Sequence, residues 1–171
     1  PLRERALRLA RAGANYLLRQ QNVPSTGSVF PNLAGKPARS RLGWCYGDLP
    51  IAVVLARLGQ LTGEAVYQAK AREVVAACVS RSAADGSIAD AGLCHGACGV
   101  WLMLHQLAAL LPGSVPESAL DYWQKWLLQH VGRRPVAAEG CGRYFAESYQ
   151  PCDGVLEGDA GVLLTLLVMQ G

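Results

Sequence analysis

Two short motifs in this sequence contain residue types that bind soft metal ions. The first is Trp-Cys-Tyr-Gly at residues 44–47 and the second is Leu-Cys-His-Gly at residues 93–96, so Cys45 and Cys94 are 49 residues apart. Together with His95 they would supply two thiolates and one imidazole. Three protein ligands with an open fourth position are typical of a catalytic zinc, whereas structural zinc sites use four protein ligands. The motifs therefore indicate a zinc that could act in catalysis.

The spacing by itself leaves a second interpretation open. Small buried cysteines beside a hydrogen-bonded histidine would give the same pattern, and the sequence contains no Cys-x-x-Cys pair. Each motif ends in a glycine that precedes an apolar run, so the candidate ligands would lie at helix N-termini. The partial positive charge there lowers the pKa of a thiol. We therefore expect thiolates at Cys45 and Cys94.

The remaining cysteines and a second histidine are weaker candidates. Cys98 lies one helical turn after the second motif, within a stretch that is already apolar, so we expect it in the core. Cys78 falls on an amphipathic helix and is also expected in the core. Cys141 and Cys152 lie in a long loop and could be free, paired or ligands elsewhere. His105 stands among leucines and is expected to be a buried, hydrogen-bonded histidine.

Two kinds of predicted helix would position these residues. Amphipathic helices carry one apolar stripe, and the other helices are apolar on every side, which predicts that they are buried on every side. We expect outer helices at 2–20, 64–80 and 116–131 and inner helices at 49–61, 97–111 and 159–170. The long connections 21–43, 82–93 and 132–157 would lie at one end, and no sheet is expected.

The inner helices share a starting motif, which indicates an internal repeat. The six-residue segments are Cys-Tyr-Gly-Asp-Leu-Pro at 45–50, Cys-His-Gly-Ala-Cys-Gly at 94–99 and Leu-Glu-Gly-Asp-Ala-Gly at 156–161, here named headers 1, 2 and 3. The last two fit Gly-x-x-Gly, and Pro50 replaces the second glycine in header 1. The repeat predicts an all-α array of about three helical hairpins with an inner and an outer layer.

Composition limits the classes of partner. A net charge of +3 is too small to indicate nucleic acid, and no run reaches the ~18 apolar residues of a membrane span. Because the N-terminus is charged and lacks the pattern of a secretory signal, we expect a reducing, cytoplasmic setting for the six cysteines. Hydrophobic residues reach 51%, which suggests a surface that packs against something else. We read residues 1–171, with no initial methionine, as a piece of a longer protein.

The motifs together resemble one known family. Ser-Arg-Leu-Gly-Trp-Cys-Tyr-Gly-Asp at 40–48, followed by headers 2 and 3, is similar to the C-terminal half of lanthionine synthetase C-like proteins, the lantibiotic cyclases. The resemblance extends over nearly the whole chain. It implies an α/α toroid in which Cys45, Cys94 and His95 hold Zn²⁺, and an active-site arginine four residues before the first cysteine. Arg41 occupies that position, so Arg41 and His95 are the catalytic candidates.

The resemblance also implies a reaction and a substrate. The family adds cysteine thiols to dehydrated serine or threonine residues of a precursor peptide, which closes thioether rings. A related zinc protein that adds or binds glutathione, and a zinc-binding module without turnover, are the alternatives. The family's catalytic histidine and aspartate lie upstream of these motifs and are not among these residues. The chain is therefore expected to work with the remaining N-terminal part of the same protein, either a free cyclase or a bifunctional synthetase.

Overall fold

Helices account for most of the regular structure. The computed structural model describes residues 2–131, 143–144, 149–150 and 153–170. An antiparallel pair of two-residue strands and a 3₁₀ turn at Pro24–Thr26 lie in the connections. The elements are α1 (Leu2–Leu18), α2 (Asp48–Thr62), α3 (Ala65–Val79), α4 (Ala97–Leu110), α5 (Glu117–Val131), β1 (Arg143–Tyr144), β2 (Tyr149–Gln150) and α6 (Asp159–Met169). The all-α prediction is confirmed, and the short strand pair is an addition to it.

The helices form an inner and an outer layer. Within the inner layer α4 packs against both α2 and α6, while α3 covers α2 and α5 covers α4 from outside. Helix α1 packs on α2 and is linked to α3, where the Tyr67 hydroxyl donates to Asn15 Oδ1 at 3.2 Å. Hairpins that stack side by side in this way give the α/α architecture that the repeat predicted. No helix among the described residues is long and apolar enough to cross a membrane.

The repeated glycines have the same role in two headers. A Cβ atom on Gly99 would overlap the carbonyl oxygen of Leu93, and one on Gly161 would overlap the carbonyl oxygen of Val155. In both cases the chain entering the helix passes directly over its first turn, which leaves no room for a side chain. Pro50 holds the equivalent place in header 1, within the first turn of α2, where a proline is tolerated.

The inner helices are buried to different extents. Helix α4 buries nine of its 14 residues, including Trp101 and Leu104, as expected for a helix that is apolar on every side. Helix α6 is equally apolar, yet Leu163 is 59% and Leu167 is 67% exposed, because no other described element covers that flank. A helix that is apolar on every side is therefore buried only on the sides where another helix packs against it.

Two local expectations are wrong. A serine at position 114 followed by Pro116 and Glu117 predicts a capping box at the start of α5. The Ser114 hydroxyl has no hydrogen-bond partner, however, and α5 begins at Glu117. His105 is exposed and stacks on Trp101 with ring centroids 4.9 Å apart, rather than lying in the core. In both cases the residue types were compatible with the prediction, but the path of the chain places the side chains differently.

Candidate metal centre

The three headers meet at one end of the inner layer. The backbone N–H of Trp44 donates to the carbonyl of Cys94 at 2.8 Å, and the N–H of Cys94 donates to the carbonyl of Leu156 at 2.7 Å. Main-chain hydrogen bonds thus join the residue before header 1 to header 2, and header 2 to header 3. The starts of α2, α4 and α6 are thereby held side by side, as the repeat predicted.

This arrangement brings the two candidate cysteines together. Cys45 is exposed, Cys94 is half-buried, and the two thiols are close enough that Cys45 raises the pKa of Cys94. His95 follows Cys94 directly, and its Nε2 lies 3.7 Å from Oε1 of Glu157 in header 3. Two of the three predicted ligands therefore lie close together, and the third follows Cys94 in the chain.

The donor types suit a zinc ion. Two thiols and an imidazole from adjacent helix starts are ligands that zinc prefers. Within the described ranges, however, no three His, Cys, Asp or Glu side chains are grouped so that they could hold a metal. The two thiols are close to each other, whereas Nε2 of His95 lies 3.7 Å from Glu157. The backbone thus brings the donors close together, and their side chains are not arranged around one point.

Cys94 is not predisposed to ionise. Burial raises the pKa of Cys94 to about 11, and the hydrogen bond and charge of Cys45 and the carboxylates of Glu157 and Asp90 act in the same direction. The expectation that a helix N-terminus would lower this pKa is therefore wrong for the metal-free chain. A bound cation would reverse the balance, since metal binding deprotonates a coordinating thiol.

Arg41 lies beside the centre, on the loop that leads into header 1. Its Nη2 donates to the carbonyl oxygen of Ser87 at 2.7 Å, and its charge acts on the carboxylate of Asp90. The N–H of Leu42 also donates to the carbonyl of Gly86, so the segment around Arg41 is fixed against the loop before header 2. Arg41 is anchored by the protein, as a residue that contacts substrate needs to be.

Asp90 is a part of the site that the sequence motifs did not reveal. It is 9% exposed, and its Oδ1 accepts the N–H of Gly92 at 2.7 Å. Burial raises the pKa of Asp90, while that hydrogen bond and the charges of His95 and Arg41 lower it. The carboxylate of Asp90 thus interacts with the charges of both His95, a candidate ligand, and Arg41, the candidate catalytic arginine.

A buried ion pair between Arg81 and Asp48 stabilises the loop before header 1 and the loop before header 2. Arg81 Nη1 lies 3.8 Å from Asp48 Oδ2, and the two side chains are 4% and 0% exposed. Arg81 Nη2 also donates to the carbonyls of Ser40 and Asp85, at 2.5 and 2.9 Å. Asp48 accepts the N–H of Phe30 at 2.7 Å. The pair therefore holds the segment from Ser40 to Asp48, which carries Arg41 and Cys45, at both of its ends.

A comparison with protein families decides what this arrangement belongs to. The family model described as lanthionine synthetase C-like protein matches residues 2–171, which include all three headers. The chain belongs to the lanthionine synthetase C-like family. No curated protein and no solved structure matches it significantly. The resemblance predicted from the headers is therefore confirmed at the level of the family.

The remaining cysteines of this lanthionine synthetase C-like chain lie away from the candidate ligands or outside the described residues. Cys98 on α4 and Cys78 on α3 are both fully buried, as predicted. Burial raises the pKa of Cys98 to about 12. Cys141 and Cys152 are outside the described residues, so their roles stay open.

An apolar cavity adjoins header 1 of the lanthionine synthetase C-like chain. It has a volume of about 300 Å³, and Cys45, Leu17, Phe30, Ile51 and Val54 are among the residues that line it. That volume is at the lower end of the range for ligand pockets. The exposed candidate ligand Cys45 thus borders an apolar hollow as well as the second cysteine.

Proposed function

We propose that this chain forms part of a zinc-dependent peptide cyclase. The reaction is the addition of cysteine thiols to dehydroalanine or dehydrobutyrine in a precursor peptide, which forms lanthionine and methyllanthionine rings. The observation that supports it is the proximity of Cys45 and Cys94, which lie at two separate helix starts that the Trp44–Cys94 main-chain hydrogen bond joins beside His95. Membership of the lanthionine synthetase C-like family supports a cyclase reaction at these residues.

The chemistry divides between a metal and the chain's own residues. A zinc ion held by Cys45, Cys94 and His95 would supply a Lewis acid that lowers the pKa of a substrate thiol. In the net reaction the thiol sulfur bonds to the β-carbon, the carbon–carbon double bond becomes single, and the α-carbon gains the proton that sulfur loses. Negative charge develops on the substrate carbonyl oxygen, where the Arg41 guanidinium could donate a hydrogen bond.

We also propose that the chain acts as the C-terminal portion of a larger ring. The exposed leucines of α6 and the exposed Val54 and Leu61 of α2 support this proposal, since they leave both sides of the inner layer uncovered. The upstream part of the same protein would cover them and supply the histidine and aspartate that the resemblance implies. The substrate partner would be the dehydrated precursor peptide.

The decisive experiment measures zinc content and ring formation in the complete protein. Cys45→Ala and Cys94→Ala should each lose zinc and stop converting free thiols of a dehydrated peptide to thioethers. Cys98→Ala is the matched control, because Cys98 is buried against α6, and it should keep both. Full zinc occupancy in the first two variants would contradict the proposal. Glutathione adducts in place of rings would favour the related activity.

A further inference from the structure

Header 3 carries a residue to which the proposed function gives no role. Glu157 occupies the position held by Tyr46 in header 1 and by His95 in header 2. It precedes Gly158, at the start of α6, and its side chain is 34% exposed. A glutamate facing a candidate metal ligand is unexplained by helix formation or by core packing.

The fold fixes Glu157 relative to His95 through the backbone. The N–H of Cys94 donates to the carbonyl of Leu156 at 2.7 Å, so the residues that follow, His95 and Glu157, are adjacent across two headers. Gly92 packs against the Glu157 backbone, where an added Cβ would lie 3.5 Å from its Cα. Glu157 Oε1 is 3.7 Å from His95 Nε2, and the His95 side chain is 26% exposed.

We propose that Glu157 is a positioning residue that orients the His95 ring for metal binding. Histidines that bind a metal usually donate their other ring N–H to a carboxylate or a carbonyl, which fixes the tautomer and the ring direction. Glu157 would accept Nε2–H of His95, which leaves Nδ1 as the metal ligand. The separation of 3.7 Å exceeds a hydrogen bond, so the contact would require a small ring rotation or one bridging water.

Asp90 is the other described carboxylate whose charge interacts with that of His95. Its Oδ1 accepts the Gly92 N–H, and the side chain is nearly buried against Gly96. Glu157 is the carboxylate that the structure brings to Nε2 itself. Header 3 would thus contribute to the centre through orientation, while headers 1 and 2 contribute the ligands.

The test measures metal affinity with Zn²⁺ as the added ligand and needs no peptide substrate. The inference rests on the zinc site of the proposed function. Glu157→Ala should weaken Zn²⁺ binding about 10- to 100-fold, measured by competition with a chelator. Glu157→Gln keeps an oxygen acceptor and should lie between Glu157→Ala and wild type. In the Co²⁺ form, Glu157→Ala should shift the absorption bands, since they report how the imidazole is held.

The control is Glu73→Gln, which removes an exposed charge paired with Lys70 on α3 and should leave Zn²⁺ affinity unchanged. Circular dichroism checks that each variant is folded. Wild-type affinity and an unshifted Co²⁺ spectrum in Glu157→Ala would overturn the inference and leave the proposed cyclase intact. Failure of the wild-type protein to bind Zn²⁺ would overturn the inference and the proposed function together.

Discussion

One side-chain hydrogen bond holds Arg41 against the loop before header 2. The carbonyl that accepts its Nη2 belongs to Ser87, which has a φ of 55°, an uncommon conformation for a residue other than glycine. Such conformations persist where the surrounding structure imposes them, and they are frequent at functional sites. The guanidinium is therefore held by a backbone geometry that the loop before header 2 maintains.

Replacing Arg41 should affect the reaction and spare the metal. We expect Arg41→Ala to keep zinc and to slow ring formation by roughly 100-fold, the usual effect of removing one donor to a developing negative charge. Arg39→Ala is the control, since Arg39 is exposed and pairs with Asp85 at 3.4 Å. Metal analysis and the rate of thiol loss in a dehydrated peptide measure both effects. A wild-type rate in Arg41→Ala would show that the role assigned to this arginine is wrong.

At the scale of the elements, the headers depend on close passage of the chain over a helix start. Gly99→Ala should destabilise the protein by about 1–3 kcal/mol, because the new methyl group overlaps the carbonyl of Leu93. Gly13→Ala is the opposite case, since nothing lies within 4 Å of its added Cβ in the middle of α1. That variant should gain about 0.5–1 kcal/mol from helix propensity. Urea unfolding of both variants measures the difference, and equal effects would contradict it.

The buried pair of Arg81 and Asp48 links α3, α2 and two loops. Removing one partner leaves the other charge buried, so Arg81→Met should cost about 3–5 kcal/mol in the free energy of unfolding. Adding Asp48→Asn to this variant should recover part of the loss, because it removes the unpaired charge. A double variant as unstable as Arg81→Met alone would show that the ion pair itself matters little.

The same pair predicts a pH dependence. Burial raises the pKa of Asp48, although the N–H groups of Phe30 and Val29 and the charge of Arg81 lower it. A carboxyl whose pKa is higher in the folded state stabilises the fold below its unfolded pKa and loses that contribution as the pH rises through the folded pKa. Without Arg81 this folded pKa rises further. The stability deficit of Arg81→Met relative to wild type should therefore shrink as the pH falls, which urea unfolding at several pH values measures.

At the scale of the whole molecule, both sides of the inner layer expose apolar side chains. On α2, Val54 is 53% and Leu61 is 62% exposed, and α6 exposes Leu163 and Leu167. At ~25 cal/mol per Å², a few hundred Å² of such surface corresponds to several kcal/mol of burial not realised. That is comparable to the net stability of a domain.

We therefore expect residues 1–171 alone to self-associate and to form no rings in a dehydrated peptide. Leu163→Gln combined with Leu167→Gln should shift the chain toward monomer in sedimentation velocity, because it removes exposed apolar area from α6. Leu128→Gln on the outer helix α5 is the control and should not shift it. Ring formation by the purified monomer at the rate of the complete protein would contradict the proposal that the chain is part of a larger ring.

The amino-acid sequence by itself determined the positions of the helices and the proximity of Cys45 and Cys94. All six predicted helices lie within two residues of the observed ones, because helix periodicity and glycine positions are local signals. The proximity of Cys45 and Cys94 followed from their equal positions in two headers, since equal positions in neighbouring repeats lie side by side. Family membership was readable for the same reason, because the headers are contiguous strings.

Only the tertiary structure decided how the surroundings act on these residues. The raised pKa of Cys94, the carboxylate of Asp90 beside His95 and the exposure of His105 all depend on which elements pack on which side. An all-apolar helix gives no sequence signal for its covered face, and a loop gives none for the neighbour it meets. Glu157 stands 62 residues after His95, and the main-chain bonds between headers bring the two side chains together. Such long-range contacts arise from packing, which local sequence patterns do not encode.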